Sequence, residues 1–546
     1  MPTLIASPKG LERIHQARRE KDWGWSTDDD DRCLLTASQF VDSTRTYEAG
    51  GPYANGISGG TWKRFLGGRH PIRATAFKAY CQALGLQWHE VITRDNAVPN
   101  ARYQNWGEAP ELSSFCGRSP ELDKLNTWLT ADQCRLIGVS GMAGMGKTSL
   151  VVKAAEAVQD KFDVLVYRSL QSASPPDELL SELADELNNS ANGAEGEAVL
   201  PSASSAALES VDGCASTILE HLRDRRCLLI LDDVESVLQS GELVGQYRSG
   251  YEAYGLFLRR IGTERHQSCV ILISREHPRE VSAFASAGHG VRELNLGGMS
   301  MTDGKVFLEA TGLVKRGSTF DALIQRYRGN PSALRVVSKL VQEFFGGDVI
   351  QFMSQSTVFV TDVVTELLAQ QISRLSGLES EVMYWLAIAC QPISLNELKS
   401  KLWRSVSTAE LLSALQSLQR RSLIEKDSTH EGNEAIFTLQ PVVMKFVTTQ
   451  FIQRVCRDIQ QLVKAPQLEY LGVLKTHALV SDRGDPGDLQ AIQVRTILNR
   501  VCDRLYEQIH PDQLHTCLQD MLALTQGQPR QVIGYAEYNM KMLLNR

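Results

Sequence analysis

The chain has 546 residues, 43% of them hydrophobic and 22% charged, an ordinary globular composition with apolar material for several cores and an expectation of roughly three or four domains. Its formal net charge of -7 is small for that length and excludes a global nucleic-acid or membrane signature, so any basic surface has to be local. The eleven cysteines (Cys33, Cys81, Cys116, Cys134, Cys214, Cys227, Cys269, Cys390, Cys456, Cys502 and Cys517) never fall into Cys-x-x-Cys spacing, which argues against zinc sites and a disulfide framework and points to a reducing, cytoplasmic setting.

The apolar run at the start, Thr3-Leu4-Ile5-Ala6, is too short for a signal peptide and turns polar at once, so export is not expected. The most apolar runs, 227–231 and 270–273, are far below the length needed to span a bilayer and read as buried strands, so no membrane association is expected. Residues 1–95 form the first expected domain. Within it Gly56-Ile57-Ser58-Gly59-Gly60-Thr61-Trp62-Lys63-Arg64-Phe65-Leu66, followed by Ile72, Phe77, Tyr80, Leu84, Trp88 and Val91, is a compact helical pattern. It resembles a phage-repressor helix-turn-helix, with a turn leading into a recognition helix near Ser58. Lys63, Arg64, Arg69, Arg73 and Lys78 are opposed locally only by Glu90, so this stretch is basic in an acidic protein. Thr61, Lys63 and Arg64 are the candidates for groove or phosphate contacts, and a protein partner suits the same module equally well. Trp62, Phe65 and Trp88 read as core.

Residues 96–113, with Pro99 and Pro110 bracketing a stretch without periodicity, read as a linker. From 134 to 273 apolar β-rich runs alternate with helical patterns, which implies βαβ units and a parallel sheet in a domain spanning 114–298. A polar segment rich in Asn, Ser, Ala and Gly between Leu187 and Ser210 reads as a surface loop inside that domain. No period of twenty to fifty residues suggests a solenoid or propeller.

Residues 135–140 read as a strand, 149–158 as a helix, and between them lies Gly141-Met142-Ala143-Gly144-Met145-Gly146-Lys147-Thr148. Strand, glycine-rich turn and helix are the context a phosphate-binding P-loop requires. Gly141, Gly144 and Gly146 free backbone N–H groups to close around phosphates, and the helix start at Ser149 adds its partial positive charge. Lys147 reaches the β and γ phosphates, and the Thr148 hydroxyl ligates Mg²⁺. A second apolar strand, 228–232, ends in Asp232-Asp233-Val234-Glu235. Asp232 is placed to hold Mg²⁺, while Asp233 either orients or deprotonates the attacking water or caps the next helix. A third strand, 269–274, delivers Arg275 to the same sheet edge, where it can sense a γ-phosphate or simply be solvated.

Phe115-Cys116-Gly117-Arg118 with Glu121 and Leu122, the P-loop, the Asp232-Asp233 strand, the strand before Arg275, and Tyr327-Arg328-Gly329-Asn330-Pro331-Ser332-Ala333-Leu334 occur in the order and spacing of the NB-ARC group of STAND signalling ATPases, which the chain resembles over roughly 114–451. The resemblance implies ATP or ADP as ligand, a place beside adenine and ribose for Phe115 and Arg118, and packing of Pro331 on the base. It also implies a helical domain, 299–365, and a winged helix, 366–455, with helices near 380–389, 395–402 and 411–418 and a wing from 422–426 and 435–439. In such proteins a Met-His-Asp motif follows the wing, its histidine contacting the β-phosphate of ADP. The matching residues here are Leu439-Gln440-Pro441. Gln440 can still donate a hydrogen bond, but Pro441 offers neither carboxylate nor N–H.

Residues 456–546 continue as amphipathic helix, notably 489–505 and 517–524, without a catalytic constellation. Relatives usually follow this region with a ligand-sensing repeat domain. Here either another polypeptide or these helices take that role, or the protein is a shortened relative. The expected fold is therefore multidomain α/β plus α, a P-loop NTPase parallel sheet followed by a helical domain, a winged helix and C-terminal helices. The expected function is a self-oligomerising ATP/ADP switch with slow hydrolysis. The alternative is a nucleotide-gated DNA-binding regulator. A metabolic P-loop kinase lacks a second substrate pocket in the sequence.

Overall fold

The computed structural model describes residues 3–4, 6–21, 27–42, 45–48, 50–68, 72–91, 102–112, 115–192, 210–288, 290–313, 319–355, 362–429, 432–481 and 487–546. They divide into two compact units, one of Met1–Gln104, Phe162–Val164 and Ser181–His221, the other of Asn105–Lys161, Leu165–Leu180 and Leu222–Arg546.

In the first unit the amino-terminal helices are Pro8–Glu20, Thr27–Val41, Gly59–Gly67, Ala74–Leu84 and Trp88–Val91. Their shared core holds Ile14, Trp62, Phe65, Phe77 and Tyr80, with Trp62 stacked 5.5 Å from Phe65 and 5.2 Å from Tyr80. Burial of such side chains is worth roughly 2 kcal/mol each. Trp62 Nε1 donates to Asp30 Oδ1 at 2.7 Å, which satisfies its one polar atom. Where the recognition helix is expected stands the helix Gly59–Gly67, begun by a capping box in which Ser58 and Thr61 bond reciprocally. It follows Val41 only after a long connection, rather than the three- or four-residue turn that defines a helix-turn-helix. The Thr61 hydroxyl is taken up by Ser58 and by the Tyr80 hydroxyl, whereas Lys63 and Arg64 stay exposed. Trp88 is only partly buried, with Lys78 Nζ 4.5 Å above its ring. Arg69 and the side chain of Glu90 lie outside the described residues.

The polar segment expected to be a loop from Leu187 is still helix through Asn192, in Pro176–Asn192. A tertiary partner explains the difference, since Asn188 Oδ1 lies 2.7 Å from His221 Nε2. The rest of that segment, 193–209, is outside the described residues, as are 96–101 and 113 of the expected linker. The described linker residues include a strand, Tyr103–Asn105.

The second unit is built on β1 (Leu136–Ser140), β2 (Val164–Ser169), β3 (Cys227–Asp232), β4 (Cys269–Ile273) and β5 (Val291–Asn295), which lie in spatial order β2-β3-β4-β1-β5 in a six-stranded sheet whose remaining, edge strand is Tyr103–Asn105. β1 pairs in parallel with β4 and β5, and β3 with β4. Every residue of β1, β3 and β4 is buried, as continuous apolar runs in a two-sided parallel sheet require. β4 lies between the P-loop strand and the strand carrying Asp232, so the three carboxyl ends meet in one crevice.

A helical region follows, with α1 (Pro331–Phe345) capped by Asn330, whose side chain accepts from the Ala333 N–H. Beyond α2 (Asp362–Ile372) come α3 (Gly377–Ala389), α4 (Leu395–Lys401) and α5 (Thr408–Arg420), each begun by a serine capping box. Strands Ile424–Thr429 and Gly432–Leu439 pair antiparallel where the wing is expected, and Ile393–Ser394 adds a third strand. The expected boundary at 455/456 is absent: one 24-residue helix, Pro441–Lys464, runs through it and buries Val455, Cys456 and Ile459 on both sides of it. The carboxyl-terminal helices pack on this helix. Their core encloses His477, whose ring lies between Tyr384, Trp385 and Phe451.

Candidate nucleotide site

β1 ends where Gly141 turns the chain, and a Cβ there would stand 2.6 Å from the Leu296 carbonyl oxygen. Gly144 has φ +78°, and a Cβ would stand 2.8 Å from that of Ser332, so the loop can run this close to the start of α1 only with glycine there. The loop ends at Gly146, φ +85°, and the helix Lys147–Val158 begins with its N–H groups facing the crevice. Lys147 Nζ donates back to the carbonyls of Gly141 at 3.0 Å and Met142 at 3.3 Å. Burial pushes its pKa down, opposed by Glu235, Asp232 and Asp233.

Thr148 Oγ1 donates to Asp232 Oδ2 at 2.7 Å, the Tyr167 hydroxyl donates to the same oxygen at 2.7 Å, and the Asp233 N–H donates to Oδ1 at 2.7 Å. Burial pushes the Asp232 carboxyl up, and the bonds from Thr148 and Tyr167 pull it back. Asp233 follows with φ +54° and accepts from the Ser169 hydroxyl at 3.1 Å. It stands at the cap position of a short 3₁₀ turn without a side-chain capping bond. Burial and the neighbouring Asp232 push its carboxyl up as well. Arg275 is held rather than solvated. Its Nε lies 3.1 Å from Glu235 Oε1, and both terminal nitrogens donate to Gln370 Oε1 at 3.3 Å.

Gly144, Gly146, Lys147, Thr148, Ser149, Asp232, Asp233 and Arg275 thus line one cavity of about 250 Å³. Gly146 and Ser149 also line an adjoining hollow of about 170 Å³ with Phe115, Arg118, Met145, Met299, Phe307 and Pro331. Its walls mix polar groups with apolar ones, and Phe115, Met145, Met299, Phe307 and Pro331 offer surface on which a planar ring can pack. Arg118 is 4% exposed, and its guanidinium is already committed, to Met145 and Gly297 carbonyls at 3.2 and 2.7 Å and to Glu121 at 2.9 Å. It therefore ties the end of the P-loop to 297–298. Gln440 does not line the phosphate cavity. It borders an adjoining hollow with Met142, Tyr327 and Leu368, which shares Ala143, Ser332 and Leu367 with the phosphate cavity.

Residues 118–249 match the family model described as the NB-ARC domain. The chain carries an NB-ARC domain. Its β1-to-β4 crevice holds the P-loop of that domain, and the core is a P-loop NTPase parallel sheet. The chain is similar over its whole length, at 37% identity, to an uncharacterized WD repeat-containing protein of Nostoc sp. (strain PCC 7120), of which it spans 46%. Among solved structures it is similar to a STAND protein with a tetratricopeptide repeat sensor from Pyrococcus horikoshii (16% identity, TM-score 0.33, covering 80% of this chain and 59% of that one). A Walker-type ATPase of Pyrococcus abyssi matches at 15% identity and TM-score 0.42, covering 61% of this chain and 96% of that one. Among the described residues no helix is long and apolar enough to cross a membrane.

Sequence reasoning missed the residues that hold these groups in place. Tyr167 closes the apolar run Val164-Leu165-Val166, and a buried tyrosine needs a partner for its hydroxyl, which is a usable signal. Asn330 Nδ2 donates to the Ala143 carbonyl at 3.1 Å and the Ser332 N–H to the Gly144 carbonyl at 3.3 Å, so the helical region bonds directly to the P-loop of the NB-ARC domain. A buried ion network runs on from Arg275. Glu276 pairs with Arg421 and with Arg374 Nη2 at 2.5 Å, and Arg421 Nε lies 3.3 Å from Glu379. Nothing in the local sequence marks these partners, which are far apart in the chain.

Proposed function

We propose that this chain is a switch of the STAND signalling class that binds ADP or ATP with Mg²⁺, hydrolyses ATP slowly and self-associates in one nucleotide state. The observation that carries the reading is that the P-loop is bonded to the regions following the NB-ARC domain, through Asn330, Ser332 and Gln371, as well as lining the cavity. A ligand that moves this loop must move those regions, which is what a switch needs and a simple hydrolase does not.

The residues present fit the ligand. Lys147 is a partly buried ammonium among carboxylates, and the Thr148 and Asp232 oxygens already lie 2.7 Å apart as hard donors for Mg²⁺. Mg²⁺ supplies charge neutralisation at the phosphates. Lys147 and the N–H groups of Gly144 to Ser149 bind phosphate, Phe115 and Pro331 flank the base, Arg118 braces the site, Asp233 orients water and Arg275 reads the terminal phosphate. The Nostoc relative's name gives it WD repeats, and the input proposed for this switch is a repeat domain of that kind. The test is to denature the purified chain and identify what it releases. Bound ADP supports a switch held off at rest, and a wild-type protein that neither carries nor binds adenine nucleotide overturns the reading.

A second reading, a nucleotide-gated DNA-binding regulator, is favoured by one observation, the exposure of Lys63 and Arg64 on the helix Gly59–Gly67. It requires a salt-dependent shift of duplex DNA that Lys63→Ala with Arg64→Ala abolishes, and no shift with the wild type removes it.

A further inference from the structure

We infer that Gln370 and Gln371, neighbours at the end of α2, are the positioning residues through which the winged-helix region acts on the phosphate site, with Gln370 setting the preference between diphosphate and triphosphate. The inference rests on the switch reading above. It starts from Gln440, which is not among the residues lining the Lys147 cavity, borders only the hollow next to it, and makes no side-chain capping bond at the head of its helix. The winged-helix region reaches the site by another route.

Gln371 is 2% exposed, and its amide is used at both ends. Its Oε1 accepts from the P-loop N–H of Ala143 at 3.5 Å, and its Nε2 donates to the Arg421 carbonyl at 2.6 Å. Arg421 stands at the end of α5 and pairs with Glu276, the residue after Arg275. Gln370 takes the other partner of the site, since its Oε1 accepts from both terminal nitrogens of Arg275. Two adjacent helical side chains point about 100° apart, so the last turn of α2 can address two groups at once. The P-loop and Arg275 lie within reach together because β1 and β4 are paired.

The chemistry gives the direction. Glu235 fixes Nε of Arg275, which leaves its two terminal nitrogens to face a phosphate, and Gln370 Oε1 takes one N–H of each, the pair that would grip a phosphate as a fork. Gln370 therefore competes with a terminal phosphate for the same two N–H groups, and a diphosphate does not contest them. A neutral amide holds a guanidinium less tightly than a carboxylate would, so the contact can be broken by a charged ligand.

The test uses the full chain with Mg²⁺ and fluorescent derivatives of ADP and of a slowly hydrolysed ATP analogue, measuring both affinities. Gln370→Ala is expected to shift their ratio toward the triphosphate by roughly three- to tenfold, from the loss of one competing bond set. Gln370→Glu, which strengthens the hold on Arg275, is expected to shift it the other way. Glu366→Ala, an exposed change on the same helix, leaves the ratio as in the wild type. Gln371→Leu is expected to raise amide exchange of the P-loop peptide containing Ala143 without any nucleotide present. If the wild type binds both nucleotides and Gln370→Ala leaves the ratio within about twofold, this inference fails alone. If the wild type binds neither, the switch reading fails and takes it along.

Discussion

Arg421→Met probes the buried network that joins the end of β4 to helices α3 and α5. Arg421 is 1% exposed, its Nη1 pairs with Glu276, its Nε lies 3.3 Å from Glu379, and its Nη2 donates to the Glu242 carbonyl at 2.9 Å. Methionine replaces the aliphatic stem but leaves one oxygen of each carboxylate without its cation. Removing one partner of a buried pair costs about 3–5 kcal/mol. Glu276 keeps Arg374, and Glu379 keeps the Ser376 N–H at 2.8 Å, so the lower end, about 3 kcal/mol, is expected here. The assay is amide exchange in Gly377–Ala389 and Thr408–Arg420, where a loss of that size speeds exchange by roughly a hundredfold. A second signature separates lost charge from lost packing. Burial already pushes the Glu276 carboxyl up, with Arg421 and Arg374 opposing it, so the variant raises it further. A carboxylate whose folded pKa is raised binds protons more tightly when folded, so the deficit relative to wild type is largest at high pH and shrinks as pH falls toward the unfolded pKa. A deficit below about 0.5 kcal/mol, or one equal at pH 5 and pH 8, would refute the reasoning.

Tyr167→Phe removes one of the donors to Asp232 Oδ2, so the Asp232 pKa rises and more Mg²⁺ is needed for nucleotide binding, by roughly tenfold and most visibly at low pH; titration of Mg²⁺ at two pH values checks it. His477 accepts at Nδ1 from Thr476, donates from Nε2 to the Glu381 carbonyl, and is held neutral by burial, with its pKa pushed down to about 4 from 6.5. Its contribution, about 3 kcal/mol, is intact above pH 6.5 and is lost as pH falls through that window toward 4. Acid unfolding followed by tryptophan fluorescence should therefore show a flatter dependence in His477→Gln. Gly144→Ala places a methyl 2.8 Å from the Ser332 Cβ and in a left-handed conformation, a strain of about 1–2 kcal/mol from the backbone alone, and should increase amide exchange at the start of α1.

What could be read from the sequence was local. The P-loop, its flanking strand and helix, the strand ending in Asp232 and the antiparallel pair Ile424–Thr429 and Gly432–Leu439 follow from glycine placement, periodicity and capping residues, all of which act over a few positions. Phe115 and Pro331, which the family resemblance assigns to the base, line one hollow. Arg118 shows the limit, because the carbonyls of Met145, Gly297 and Gly298 that take up its guanidinium are positioned by the fold and carry no side-chain signature. Glu235 lay inside a recognised motif, yet its hold on Arg275 depends on β3 and β4 being neighbours. Gln370 and Gln371 read as an ordinary helix end. The helix through Asn188 outran its composition because His221 supplies a partner from 33 residues away.

The central claim is that the cavity around Lys147 binds adenine nucleotide. Calorimetric titration of the full chain with Mg²⁺ and ADP, then ATP, in wild type and Lys147→Ala tests it most directly. The account predicts saturable binding to wild type and a loss of roughly ten- to a hundredfold in affinity in the variant, the range expected for charge-assisted bonds to phosphate. No binding to wild type, or equal affinity in Lys147→Ala, would contradict it.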